Sequence, residues 1–552
     1  MMTSCLRMAA GLTLLAGHAF AGIEAVFFAQ THVQKPDSPW FKLVGNRDAL
    51  IKVHVVSPTP ASAPPVTAWL SLRGVETNLS LRGPATLPPT TPLEPGVVEH
   101  RFDNCFTAMI PKEWVQRGLQ VRVSAGEAQV AFTNLAVGAP TVVTMTMFDI
   151  HYFAHEDIDY AKGWERELEA RWPVSKLTVQ RTPPVTFTEL VIPPRAGKPA
   201  VRCGSPQDYL RKTGIPFDGE QMAAGGWKGA LQRAGAQGRL SLFYVNIGNV
   251  YAGGQAGGFG GVGKLGRTGV LHHELGHALG RPHLMHEGAY PYKDTLYGIV
   301  GRGVHVGPTW GFDPRIGLPG AAPGVPRFIP PLVQKGAAGG VPGEWKHDPM
   351  QGGMSDEDPG SLLRMFSDYS MHKMQDYLEN HVAIWDDALH NFVTWDDAAG
   401  KYSKVLSPND LPIERNVDVI SILAGLCAAT PEANIVYPPI GPYTSGLVPL
   451  FDPAIPADRA RAAEGFAPAG GCDLTLRVVQ GGQIKTVMLP ISWNPGDDPL
   501  SGGSYRTHAI NLPARDGKVT RIDLLLTPDA EKNGLTAAPK VLDSWPYQGR
   551  PL

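Results

Sequence analysis

Apolar and polar positions alternate in short runs over the first part of the chain. Residues 49–56, 66–73 and 119–123 show the period of a half-buried strand. Prolines punctuate these runs, as in Ser57-Pro58-Thr59-Pro60 and Leu87-Pro88-Pro89, and force turns between strands. Residues 22–140 therefore predict an N-terminal β-sandwich-like domain. From 141 the rhythm changes: a strand at 142–150, a helical stretch at 161–171, strands at 177–180 and 186–192, and another strand at 240–247. Strands alternating with helices indicate an α/β (α+β) domain, assigned to residues 141–402. A helix near its end takes Ser370 as N-cap and carries Met371, Met374, Leu378 and Val382 at helical spacing. Strand patterns return at 474–479 and 484–489, so residues 403–552 read as a C-terminal β-rich accessory domain. The expected fold class is multidomain, an α/β unit flanked by two β-sandwich-like units.

Composition narrows the setting. At 552 residues the chain exceeds what one hydrophobic core fills. Lys plus Arg (49) and Asp plus Glu (51) nearly cancel, and no basic run appears, which argues against a nucleic-acid partner. Abundant Gly (63) and Pro (51) with only 18% charged residues point to a loop-rich, strand-rich extracellular protein. The first 21 residues carry Arg7, an apolar run from Met8 to Leu15 and the small-residue pattern Ala19-Phe20-Ala21, the layout of a signal peptide cleaved after Ala21 (residues 1–21). No apolar stretch reaches the ~20 residues needed to span a bilayer, so no stable membrane insertion is expected. In an oxidising compartment Cys427 is expected to pair with Cys472, and Cys105 with Cys203. The glycine-rich segment 253–261 lacks a phosphate-binding spacing and reads as a mobile loop bordering a cleft, with Gly257 and Gly258 as candidate cleft residues. Residues 317–344 read as a long irregular excursion.

The chemistry concentrates in Val270 to His283, which contains His273-Glu274-x-x-His277-x-x-Gly280-x-x-His283. On a helix, residues four apart face the same way, so His273 and His277 present two imidazoles to one metal while Glu274 borders the same pocket. Gly280 tolerates the left-handed backbone that ends a helix, and Pro282 keeps the helix from resuming before His283. Three histidine ligands with a fourth position open, and no cysteine nearby, is the arrangement of one catalytic Zn2+ ion. Glu274 is then the general base towards the attacking water. His272 points about 100° away from His273 and is excluded as a ligand. His286 lies beyond the pattern, and Asp356-Glu357-Asp358 reads as a solvated acidic loop.

The full pattern is the metzincin signature, which calls for a methionine turn followed by a helix. His347-Asp348-Pro349-Met350-Gln351-Gly352-Gly353 supplies the turn, with Met350 as its methionine and Met354 in reserve. Within that clan the chain resembles the StcE/TagA-type, dictomallein-like secreted metallopeptidases. The resemblance rests also on Gly45-Asn46-Arg47-Asp48-Ala49-Leu50, Ala108-Met109-Ile110-Pro111-Lys112-Glu113-Trp114, Trp310-Gly311-Phe312-Asp313 and Tyr369-Ser370-Met371-His372-Lys373-Met374-Gln375, and covers roughly residues 22–400. It implies a secreted zinc metalloendopeptidase, and its best-known members cut mucin-like O-glycoproteins. The expected partner is thus an extracellular protein or glycoprotein substrate. The family commonly has tyrosine after the third histidine; here Leu284 stands there, leaving Tyr290, Tyr292 or Tyr369 to serve the cleft. Two other readings use the same residues: a glycan-binding adhesive protein with a vestigial metal site, and a zinc amidase for another amide. The intact Glu274 argues against the first, and the strand at 240–247, read as an edge along which a peptide lies, argues against the second.

Overall fold

The computed structural model describes residues 21–89, 100–218, 220–248, 253–292, 307–314, 326–329, 348–351, 363–406 and 411–546. Residues 1–20 of the segment read as a signal peptide, Met354, the acidic run at 356–358 and most of 317–344 lie outside them. Among the described residues no helix is long and apolar enough to cross a membrane.

The first unit consists of two four-stranded sheets. In one, Gly22–Ala29 pairs with Ala49–Val56, which pairs in turn with Phe106–Ile110; in the other, Val66–Leu72 lies between Val75–Ser80 and Gln120–Ala125. Val26, Phe28, Ile51 and Val53 from the first sheet meet Ala68, Leu70, Val121 and Val123 from the second in a common core. The alternation seen in sequence thus points one set of residues inward. The opposite face of the first sheet is also covered. The hairpin Gly311–Asp313 with Arg327–Ile329 brings Phe312, Trp310 and Phe328 onto Phe27 and Leu50. That second cover explains why every residue of the strand from Ala49 to Val55 is buried, Lys52 and His54 included.

The central sheet runs in the order Lys176–Arg181, Val142–Tyr152, Leu242–Gly248, Gly260–Lys264, Gly254–Ala256. The first four are parallel and the last is antiparallel. Leu242–Gly248, read from sequence as an edge, is paired on both sides, because its continuous apolar run suits a strand buried on both faces. The outer strand is Gly254–Ala256, within the segment read as a mobile loop. Its hairpin with Gly260–Lys264 is pinned: Lys228 Nζ donates to the Gly257 carbonyl at 2.5 Å, and Gln232 Nε2 donates to that of Phe259 at 2.8 Å. Gly257 (φ 154°) and Gly258 (φ 59°) make the turn, a backbone that needs glycine.

Lys228 and Gln232 belong to the helix Glu220–Ala234, which packs between this sheet and the C-terminal sheet. There Glu414–Cys427 is flanked by Ile440–Leu447 and Tyr505–Pro513. A second sheet, ordered Gln483–Leu489, Leu474–Gln480, Val519–Leu526, Lys540–Trp545, closes a sandwich through Ile422, Leu476 and Leu524. The strand Lys401–Val405 spans residues 402 and 403, and one core joins Phe148, Trp227 and Phe243 to Leu423, Tyr437 and Tyr443.

The cysteine pairing fails. Cys105, Cys203, Cys427 and Cys472 are all free and buried. Cys472 packs with Ala462, Met488 and Ala530, whereas Cys427 sits in the core around Trp227, so the two thiols belong to different clusters although both lie in the last part of the chain. Cys203 shares the Trp227 core, far from Cys105, whose Sγ donates to the Arg101 carbonyl at 2.8 Å in the first unit. Burial raises the Cys105 thiol to about 11 and Cys203 and Cys472 to about 12, away from the reactive thiolate.

A candidate metal centre on the motif helix

The motif helix is Thr268–Ala278. It ends as Gly280 requires: at φ 78° the Gly280 N–H returns to the His277 carbonyl and the Arg281 N–H to that of Gly276, both at 3.0 Å. These two bonds are the Schellman pattern, which turns the chain so that His283 comes back beside the helix. Nε2 of His283 lies 3.1 Å from Nε2 of His273 and 3.2 Å from Nε2 of His277. Among the described residues this is the one group of three potential metal ligands whose donor atoms converge.

The outer nitrogens show what the convergence means. His273 Nδ1 lies 2.6 Å from the Pro349 carbonyl, and His277 Nδ1 lies 2.6 Å from the Arg281 carbonyl. A carbonyl only accepts, so both Nδ1 atoms carry hydrogen and both Nε2 atoms present lone pairs. Lone pairs aimed at one point repel unless a cation lies between them. Tetrahedral ligands at about 2.0–2.1 Å from zinc stand roughly 3.3–3.4 Å apart, close to the spacing found here. Burial lowers the pKa of all three imidazoles, His273 to about 4, so they are neutral and ready to bind a metal at pH 7. The donor set fits a divalent transition metal.

Glu274 is buried beside this group; burial alone raises its carboxyl to about 8, and a divalent cation held by the histidines would draw it back down to the ionised carboxylate that a general base requires. Its side chain lies against the outer strand: a Cβ built on Gly254 would fall 2.3 Å from Glu274 Cγ. Glycine at 254 therefore lets the strand pass directly over the carboxylate. Met350 sits beneath the helix in the short turn Pro349–Gln351, fully buried, and a Cβ built on Gly276 would fall 2.2 Å from its Sδ.

The remaining candidates are placed elsewhere. Gly257 and Gly258 form the hairpin turn already described. Tyr290 is 3% exposed and packs with its ring 5.4 Å from that of Tyr369. The Tyr369 hydroxyl donates to Glu287 at 2.9 Å, and the Tyr292 hydroxyl to Asp368 at 2.5 Å. All three tyrosines support the segment that carries His283, and Leu284 fills the core there with no exposed surface. His272 faces away from the ligands and packs on Phe366 at 4.7 Å. Sequence reasoning missed Asp348 and Glu287; only their nearness to the motif and turn marked them.

The peptidase M66 family model matches residues 99–383, just over half of the chain. Dictomallein of Burkholderia pseudomallei (strain 668) is 30% identical over 597 aligned positions, covering 94% of this chain and 83% of the relative. Dictomallein of Burkholderia mallei (strain SAVP1) is 29% identical with the same coverage, and dictomallein-3 of Dictyostelium discoideum is 26% identical over 91% of this chain and 92% of its own. Similarity over 94% of the chain extends well past residue 400, where the sequence alone showed little family pattern. The family is one of metallopeptidases, and the converging histidines lie inside the matched region: the chain belongs to the peptidase M66 family.

Proposed function

We propose that the protein is a secreted zinc metalloendopeptidase of the metzincin type, with His273, His277 and His283 as zinc ligands, Glu274 as general base and Met350 as the methionine beneath the site. The observation that carries this reading is the convergence of three Nε2 atoms, with a buried carboxylate alongside and an outer strand passing over it. When bound, zinc supplies a Lewis acid that acidifies water and polarises a substrate carbonyl. Glu274 takes the proton of the attacking water and delivers it to the leaving amine. Gly254–Ala256 pairs on one side with Gly260–Lys264, and among the described residues no strand pairs with its other side. An extended peptide laid along that free side gains backbone hydrogen bonds without any demand on its sequence, which favours a polypeptide substrate. The substrate is an extracellular protein, with mucin-type O-glycoproteins as the class that the resemblance implies. Residues 1–21 direct export and are removed by cleavage after Ala21.

The test measures bound zinc together with cleavage of an O-glycosylated mucin and an unglycosylated protein, comparing wild type with Glu274→Gln. Stoichiometric zinc in both, with cleavage lost on the order of 10²- to 10⁴-fold in the variant, is expected. Absence of zinc from the wild type sinks the reading. Faster cleavage of the mucin than of the unglycosylated protein supports the glycoprotein class, and equal rates count against it.

A further inference from the structure

Both helix ligands donate their outer N–H to a backbone carbonyl, and each of those carbonyls belongs to a segment held by a carboxylate, fully buried at Asp348 and partly buried at Glu287. Asp348 is completely buried. One of its oxygens accepts the Met350 N–H at 2.9 Å and the other accepts the Ser367 N–H at 2.7 Å. The two bonds fix Pro349, the residue between Asp348 and Met350, and so fix the carbonyl that orients His273. On the other side, Arg281 offers its carbonyl to His277 while its guanidinium pairs with Glu287. Glu287 in turn accepts the Tyr369 hydroxyl. The two lines run from opposite sides of the metal centre and end on Ser367 and Tyr369, at the first turn of the helix Asp368–His381.

We infer that Asp348 and Tyr369 are positioning residues of the metal centre: they anchor, to one helix turn, the two carbonyls that set the tautomer and ring orientation of His273 and His277. This inference rests on the zinc reading above and assigns a task to residues that touch neither metal nor substrate. A rotated imidazole loses the lone-pair direction that binds the metal, and loss of such outer contacts typically weakens metal binding 10–100-fold. The helix turn is itself secured from the N-terminal unit, because His32 Nε2 lies 3.0 Å from the Phe366 carbonyl.

The experiment measures the zinc dissociation constant of the full-length protein by competition with a chromophoric chelator, and the visible spectrum of the cobalt-substituted protein. Asp348→Asn, Tyr369→Phe and the control Tyr292→Phe are compared with wild type. Tyr292 also donates a hydrogen bond to this helix turn, through Asp368, but stands on neither line. Asp348→Asn and Tyr369→Phe are expected to weaken zinc binding about 10- to 100-fold and to shift the cobalt bands, while Tyr292→Phe stays within about twofold. Unchanged affinity and spectrum in Tyr369→Phe, or an equal loss in Tyr292→Phe, overturns the inference. Should Asp348→Asn fail to fold, Tyr369→Phe decides alone. A wild type that binds no zinc, or a His273→Ala variant that binds it normally, instead rejects the metal centre itself.

Discussion

Gly276 sits on the motif helix where alanine would ordinarily be the better residue, since glycine inside a helix costs about 1 kcal/mol relative to alanine. Here the methyl group has no room: it would fall 2.2 Å from Met350 Sδ and 3.1 Å from a ring carbon of Phe366, both fully buried. Overpacking of this kind costs about 1–3 kcal/mol and exceeds the propensity gain. Gly276→Ala is therefore expected to lower the urea midpoint of unfolding. A raised midpoint would show that the Met350 turn yields freely and does not fix the floor of the site. At this scale the sequence was most legible where spacing alone dictates geometry: three histidines, one glutamate and Gly280 define the metal group by helix period and chain reversal. The supports were not legible. Nothing in the spacing of Asp348 or Glu287 reveals that the first accepts a hydrogen bond from a residue 19 positions further on and the second from one 82 positions further on.

Elements were legible in proportion to how far their surroundings matched their pattern. The strand at 142–150 was read nearly to its observed end at Tyr152. The N-cap of the late helix is Ser367, not Ser370, because the Ser367 hydroxyl accepts the Ser370 N–H and starts the helix one turn earlier. Gly254–Ala256 escaped notice because glycine carries no strand preference, and the approach of Glu274 is what requires glycine there. The strand Ala49–Val56 alternates as if one face met water, yet the hairpin around Phe328 buries that face. Burial lowers the pKa of His54 to about 3, and lowers that of the adjoining His100 to about 2. The sign follows directly. Below the ordinary imidazole value of about 6.5 the unfolded chain takes up a proton on each residue that the native protein refuses. Stability is complete above that pH and is lost as pH falls from about 6.5 towards 3, at roughly 1.4 kcal/mol per pH unit for each histidine. The free energy of unfolding, followed by urea titration between pH 7 and 5, is expected to fall with this slope and to fall less steeply in His54→Gln. Parallel curves for the two proteins would exclude His54 as a source of acid lability.

The whole molecule is bound together by contacts that no local pattern announces. Arg47 reaches from the first unit to donate to the carbonyls of Ala170, Trp172 and Val174, capping the helix Trp164–Arg171. Lys42 pairs with the buried Glu379 at 2.6 Å, and Glu379 also accepts the Ala139 N–H at 3.1 Å. The C-terminal sheet is tied in more deeply still. Tyr437 stacks on Phe187 with centroids 4.5 Å apart, and Tyr443 meets Phe148 edge-on at 5.1 Å. Glycines make this approach close, since a Cβ built on Gly235 would fall 2.3 Å from Ser445 Oγ. The helix Glu220–Ala234 therefore carries the C-terminal sheet on one side and, through Lys228 and Gln232, the turn of the outer strand on the other. Strands after residue 402 thus share a core with the sheet that borders the histidine group, so the two are expected to fold together. A chain truncated after residue 402 would uncover Phe148, Phe187 and Trp227, each a buried aromatic worth several kcal/mol. It is expected to aggregate or to bind a hydrophobic dye, and to lose the zinc proposed for His273, His277 and His283. Truncated protein that elutes as a monomer, melts where the full chain melts and retains its zinc would show instead that the sheet is held only by what it adds to its own sandwich.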